Sequence, residues 1–390
     1  MPLSGFSILD LTRVISGPFC TMLLADMGAE VIKLETPPDG DPIRGQGAMH
    51  EGLSYYFATF NRNKKSITLN LKEAEGRKLF EKLVTRSDVV VDNFRPGVLD
   101  RLGFGRERLQ KLRPGLICAS ISGFGESGPY RDRPAFDFIA QAMSGFMSMN
   151  GRETDPPLRS GLPVSDLVAG LYAALGITAA LLRRERTGRG DIVSTTLTNG
   201  LISFLSYAAS HYFATGEVLP RSGNDHPITA PYGLFNTSDG AIAIAPAGDE
   251  FFTRLMRALD MTDVLRDPRF VNGQDRVKHR EILNARVAGQ MSQHGNAYWI
   301  EKLNGAGVPC GPVYTVEEVF SDPQFADMVI EVPYQDRAPV RMLGFPLRFS
   351  EAECRIRLPS PRLGEHNEEI YGSLGISRGE IEALRLRKVL

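Results

Sequence analysis

The sequence predicts an α/β protein, with a Rossmann-like parallel sheet in its N-terminal half and a second, smaller α/β domain near residues 225–325. Three observations carry that expectation. Short β-branched runs alternate with amphipathic segments through the N-terminal half, as parallel βαβ units covered on both faces require. A hairpin pattern then appears only after residue 233. Between the two lies a stretch dense in glycine and proline, GEVLPRSGNDHPITAPYG, which reads as a connection.

In order along the chain, SILDLT (7–12), AEVIKLE (29–35), SDVVVDN (87–93) and GLICASISG (115–123) read as strands. The helices between them are GPFCTMLLADMG, KEAEGRKLFEKLVTRS and GRERLQKLR. Gly17 and Pro18 open the first, where a proline in the first turn loses no hydrogen bond. Residues 166–185 form an apolar helix rich in alanine and leucine; TGRGDIVSTTL returns to a strand, and residues 197–215 form a further apolar helix. LFNTSDGAIAIAPA is a hairpin turning on Asp239 and Gly240. The organisation is therefore a large domain over 1–200, a linker over 201–224, a small α/β domain over 225–325 and a return segment over 326–390. Within the return, VIEVPYQD (329–336) and VRMLGFPLRFS (340–350) resemble strands, and residues 368–390 resemble one or two surface helices. A long proline-bearing return is unusual inside one compact chain, so a chain reaching across a neighbouring copy is expected.

The 390 residues are 42% hydrophobic, enough for a sizeable core, and the formal net charge is −1. No global basic field exists to hold nucleic acid or an anionic membrane. The start, MPLSGFSILDLT, lacks the pattern of a signal peptide, and no apolar run reaches about 18 residues without a charge or strong break; a cytoplasmic setting is expected. Cys20, Cys118, Cys310 and Cys354 lie far apart, which suits reduced thiols better than disulfides or a zinc site, and no metal site is expected.

The first turn, DLTRVISGPFC, has no G-x-G-x-x-G, so a dinucleotide site is poorly supported and a nicotinamide-dependent oxidoreductase is disfavoured. The half does hold cationic and amide groups: Arg44 in GDPIR, NRNKKS at 61–66, and DNFRPGVLDRLG at 92–103. Such clusters either bind phosphates through charge-assisted hydrogen bonds or are solvated surface charge. Asp166, at the mouth of the long apolar helix, is on local grounds a helix cap or a reagent. His226 in GNDHP either faces a substrate or stabilises its turn. Asp249 and Glu250 read as caps, and Trp299 and the methionines as core.

Several segments arrive together and in order: ILDLTRVISGPFCTMLLADMGAEVIKLE, NRNKKSITLNLK, DNFRPGVLDRLG, SISGFGESGPY, FDFIAQAMSG, TGRGDIVSTTL, GVPCGPV and PRLGEHNEEI. In these the chain closely resembles the class III CoA-transferases, a family that includes formyl-CoA transferase, carnitine CoA-transferase and, as a relative, α-methylacyl-CoA racemase. The resemblance implies a large Rossmann-like domain built from both chain ends, a small α/β domain and an interlocked homodimer. It implies coenzyme A and acyl-CoA as substrates, with a carboxylic acid acceptor and no tightly bound cofactor. Asp166 matches the nucleophilic aspartate, and Ile15, Ser16, Arg44, Asn93, Arg101 and Phe136 match CoA-binding positions. His226 is the candidate for the acyl pocket or the acceptor carboxylate. Ile15 stands where some relatives have glutamine, and no glycine lid is assigned. Phe136 stands where the racemases carry a proton-exchanging histidine, which disfavours racemisation; Asp137 beside it reads as a structural hydrogen-bond acceptor. The expected reaction is CoA transfer from an acyl-CoA, with succinyl-CoA as donor and a small dicarboxylate as acceptor by analogy. The alternatives are an acyl-CoA racemase or epimerase and a non-catalytic acyl-CoA-binding protein.

Overall fold

A computed structural model describes residues 1–334 and 337–390. The chain forms two compact units. The first comprises Met1–Phe146, Ser160–Leu205 and Ala326–Leu390; the second comprises Met147–Arg159 and Ser206–Phe325.

The first unit is built on six strands: β1 (Ser7–Asp10), β2 (Glu30–Glu35), β3 (Lys64–Thr68), β4 (Val89–Asp92), β5 (Ile117–Ser122) and β6 (Ile192–Thr196). They lie in the order β3-β2-β1-β4-β5-β6, every neighbouring pair parallel. The strand order reverses direction at β1, so connections leave in opposite directions and the ends of β1 and β4 flank a crevice. Its principal helices are α1 (Ser16–Asp26), α2 (Tyr55–Asn61), α3 (Ala74–Arg86), α4 (Arg106–Leu112), α5 (Asp137–Met143), α6 (Val164–Thr187) and α7 (Leu197–Ser203).

Strand periodicity divides the core in two. On one face Ile8, Val31, Val89, Val91, Ile117, Ala119 and Ile121 pack against α1 and α6. On the other, Leu9, Ile32, Leu34, Ile67 and Val90 pack against Leu79, Phe80 and Leu83 of α3. Ile370, Tyr371, Ile381 and Leu384 join that second face from two C-terminal helices, Asn367–Ser373 and Arg378–Leu386. The tail, expected at the surface, thus completes the core, because its apolar residues recur on one helical face.

Two further expectations are corrected. NRNKKS, read as a phosphate-binding or solvated cluster, leads into β3, the edge of the sheet. Alternation turns Lys64 and Ser66 inward, while Lys65 points out to Glu30 and Glu369. The helix expected over 197–215 breaks after Ser203 and resumes over Ser206–Thr215, with Ser206 at φ +46°.

The second unit carries a three-stranded antiparallel sheet. Its strands, β7 (Gly233–Asn236), β8 (Ala241–Ile244) and β9 (Cys310–Pro312), lie in the order β9-β8-β7. Asp239 in the hairpin turn accepts hydrogen bonds from Thr237 Oγ1 and Asn296 N. Phe235, Ile242 and Ile244 pack with Phe252, Leu255, Leu283, Val287 and Leu303, and buried Trp299 donates to the Met291 carbonyl at 2.7 Å. Within the return, Val329–Val332 and Val340–Leu343 pair antiparallel; Gln335 and Asp336, at the end of the first segment read as a strand, lie outside the described residues.

Candidate active site

Beyond Asp10 the chain makes a five-residue turn, residues 11–15, before entering α1 at Ser16. This turn is gripped from below by buried charge. Asp10 accepts from Thr12 N, Thr12 Oγ1, Thr21 Oγ1 and Lys64 Nζ, the last at 3.0 Å. Burial alone would push the Asp10 carboxyl up, but Lys64, Lys33 and the two hydroxyls hold it below the usual carboxylate range. Lys33, fully buried, donates to the Thr12 carbonyl at 2.8 Å and to Asp41 Oδ2 at 2.9 Å. Asp41 in turn accepts Val14 N at 3.1 Å. Asn93, just past β4, pairs with the same turn as a backbone segment would: its Oδ1 accepts Arg13 N at 2.9 Å and its Nδ2 donates to the Arg13 carbonyl at 2.7 Å. Val14 sits at φ +68°, a region that β-branched residues rarely occupy, and these bonds hold it there.

The second wall is the start of α6. The helix begins at Val164 with Pro163 at the N-cap position, and Asp166 lies in its first turn. Asp137 of α5 accepts both Ser165 N at 2.9 Å and Ser165 Oγ at 2.8 Å. Gln141 steadies Asp137 by donating to its other oxygen at 2.7 Å. The acceptor role expected for Asp137 is therefore seen, and it is Asp137 that serves the free N–H at this helix end. Asp166 is left for other work. Asp166 lines one cavity with Ser16, whose hydroxyl favours its charge, while burial and the neighbouring Asp137 charge push its carboxyl up to about 7.

Helices α1 and α6 bring these groups together because Gly170 lies one turn below Asp166 on the same face. A Cβ at Gly170 would sit 2.5 Å from the Ser16 carbonyl oxygen, so only glycine admits this approach. Two helix N-termini thus converge on one carboxylate, and both favour negative charge developing there.

A cavity of about 340 Å³ is lined by Ile15, Ser16, Asn93, Phe136 and Asp166, five of the residues singled out from sequence. Phe136 is 73% exposed at the mouth. Arg95, from the DNFRPGVLDRLG cluster, lines the same cavity, as do Arg13, Arg131 and Arg133, which had not been singled out. The signal for Arg13 was the turn itself, since it stands between β1 and α1. Arg101 and Lys72 line a second cavity of about 620 Å³, which shares Arg13, Phe94 and Arg95 with the first. Arg44 lines neither. Its guanidinium forks onto Glu35 at 2.7 and 2.6 Å, donates to the Pro361 carbonyl at 3.0 Å and lies 3.7 Å above the Phe57 ring. His226 belongs to the second unit, between Tyr207 and Tyr232, where its Nδ1 accepts Ile228 N and Arg280 donates to its carbonyl. Burial and Arg280 hold its imidazole below the usual range.

A buried carboxylate lining a cavity, flanked by helix N-termini and arginines, is equipped to attack an electrophilic carbonyl carried by an anionic molecule. Comparison with known proteins agrees with that chemistry. Residues 3–367 match the model of CoA-transferase family III. The succinyl-CoA–D-citramalate CoA-transferase of Chloroflexus aurantiacus is 37% identical over 394 residues, covering 100% of this chain and 98% of that protein. The acetyl-CoA:oxalate CoA-transferase of Acetobacter aceti is 40% identical over 368 residues, covering 93% of each. Among solved structures, a CAIB/BAIF family protein from Brucella suis superposes with a TM-score of 0.84 at 37% identity, covering 96% of this chain and 99% of that one. With the carboxylate, its helix ends and the whole-length match in agreement, the chain belongs to CoA-transferase family III.

Proposed function

We propose that this enzyme moves coenzyme A from succinyl-CoA to a small dicarboxylic acid through covalent intermediates on Asp166. The single observation that carries the reading is the release of Asp166 from capping by Asp137, in a cavity that also holds Ser16 and Asn93. An Asp166 oxygen attacks the thioester carbonyl and expels CoA thiolate, giving a mixed anhydride. The thiolate attacks the aspartyl carbonyl, releasing the donor acid and leaving an aspartyl-CoA thioester. The acceptor carboxylate opens that thioester to a second anhydride and frees the thiolate again. Thiolate attack on the acceptor's acyl carbon then forms the new acyl-CoA and regenerates the Asp166 carboxylate. No proton is consumed and thioester is exchanged for thioester, so no external energy source is needed. Holding thiolate and acid together supplies the effective concentration that makes each step feasible.

The acceptor class is supported by the relatives, whose named acceptors, D-citramalate and oxalate, both carry a second carboxylate. Four arginines line the cavity and suit a substrate with several anionic groups. The CoA-binding role read for Ile15, Ser16, Asn93 and Phe136 is supported by their shared cavity with Asp166, and that of Arg101 by its place in the adjoining one. Arg44, already paired with Glu35, would assist by shaping the loop rather than by meeting phosphate. A Rossmann-like large domain is supported by the strand order, and a homodimer by the exposed apolar face of α6, where Leu171, Leu175 and Leu182 are each more than half exposed.

Intact-protein mass spectrometry tests the reading. Brief incubation with succinyl-CoA and a panel of other acyl-CoAs yields a hydroxylamine-sensitive CoA adduct on wild type and none on Asp166→Asn. An adduct that forms equally on the variant overturns the assignment.

A further inference from the structure

The buried charges beneath the first turn do more than fill the core. Asp10, Glu35 and Asp41 face Lys33, Lys64 and Arg44, three carboxylates against three cations. Among these, the Lys33–Asp41 pair alone touches the turn on both sides of its strained residue. Lys33 holds the Thr12 carbonyl, and Asp41 holds Val14 N. Both are essentially excluded from solvent, so neither gains anything from water, and burying such a pair is rarely worth its desolvation for stability alone. Immediately beyond Val14 come Ile15 and then Ser16. The Ser16 oxygen lies 3.5 Å from Asn93 Nδ2, a group that can only donate, which leaves the hydroxyl proton for Asp166.

We propose that the Lys33–Asp41 pair is a positioning device for catalysis: it clamps the left-handed turn at Val14 so that the Ser16 hydroxyl meets Asp166. The inference rests on Asp166 being the nucleophile. In the clamped turn Ser16 donates to one carboxylate oxygen, which orients the carboxylate and leaves its second oxygen to attack the thioester. Relaxed toward right-handed φ values, Val14 would carry Ile15 and Ser16 to a different position, and the carboxylate would lose its orienting bond. Lys33 and Asp41 never meet substrate in this scheme; they act through the turn.

The test measures single-turnover formation of the Asp166 adduct, using the thioester that labels wild type. Ser16→Ala removes the delivered group without disturbing the buried pair, and it is expected to slow adduct formation at saturating thioester by about 10- to 100-fold. Asp41→Asn is expected to show a similar loss in the saturating rate, with the half-saturating concentration changed less than about threefold, because uniform binding is left intact. The double variant Ser16→Ala/Asp41→Asn is expected to be no slower than Ser16→Ala alone within about threefold, since both act through one hydroxyl. Ser16→Ala at the wild-type rate, or losses that multiply in the double variant, overturns the proposal. Should Asp41→Asn fail to fold, Val14→Gly replaces it: freeing the turn is expected to slow the step by about three- to tenfold, an effect that Ser16→Ala masks. Val14→Gly at the wild-type rate counts against the clamp. Asp166→Asn separates the two readings: if that variant still forms the adduct, the nucleophile assignment fails, whereas loss of labelling with a fast Ser16→Ala leaves the nucleophile standing and removes the clamp.

Discussion

At the scale of single residues, the informative quantity is the proton on Asp166. Its carboxyl titrates at about 7 because burial and Asp137 oppose its charge more than the Ser16 hydroxyl favours it. Tyr56 of α2 also faces this carboxylate, and Arg13, Arg95, Arg131 and Arg133 line the cavity around it. In the proposed mechanism attack requires the anion, so adduct formation by the free enzyme is expected to rise with pH through about 7 and level off above it. Asp137→Asn keeps an oxygen for Ser165 but removes the opposing charge; the acidic limb is expected to move to lower pH in a pH–rate profile. The same shift has a stability consequence. The folded chain keeps a proton that the unfolded chain releases above 3.8, so stability falls as pH rises toward about 7. Asp166→Asn escapes that loss and is expected to be more stable than wild type by about 1–3 kcal/mol at about pH 8, with the gain gone near pH ~4, as thermal unfolding at the two pH values would read. Local pattern alone left Asp166 between cap and reagent, since a carboxylate beside a helix start fits both, and the family resemblance was what pointed to the nucleophile. What the structure adds is Asp137, 29 positions earlier, which accepts the Ser165 N–H at this helix end through hydrogen bonds that no local pattern displays.

At the scale of elements, the site depends on how closely α1 and α6 approach. Gly170→Ala would place a methyl 2.5 Å from the Ser16 carbonyl oxygen. The helices must then separate, at about 1–3 kcal/mol in stability, and Ser16 would withdraw from Asp166. The expected result is a folded variant whose transfer rate falls by about 10²-fold, as a displacement of this size near the chemistry produces. The strand β3 supplies a second prediction. Lys64→Met leaves Asp10 buried without its cation, and denaturant unfolding should show a loss of about 3–5 kcal/mol. Four of the six strands of the large sheet were visible as β-branched runs, and β6 was visible in DIVSTTL, because burial on both faces demands such residues. β3 was not visible. Its lysines imitate a solvated cluster, and only the pairing of Lys64 with Asp10 across the sheet explains their presence. The break after Ser203 was also hidden, since both halves of the segment are apolar and no proline or glycine marks the join.

At the scale of the whole molecule, α6 is long and apolar enough to span a membrane by length and composition, with half of its most apolar window buried. One face lies in the core of the first unit through Ala169, Ala173, Ile177 and Leu181, while Leu171, Leu175 and Leu182 lie outward. An exposed stripe of this kind beside an edge strand asks for cover. The reading of a homodimer predicts that Leu175→Glu lowers the sedimentation mass from two chains toward one, and that the secondary structure survives. That both ends of the chain build one domain was legible only through resemblance, because nothing local ties residues 367–386 to β3 and α3. Since Asp137 holds the end of α6, the nucleophile proposed at Asp166 is not needed as its cap, and the architecture can be inherited without the reaction. A descendant that exchanged Asp166 for asparagine would keep its fold and the arginines of its cavity and, on the proposed mechanism, would pass from enzyme to acyl-CoA carrier in a single substitution.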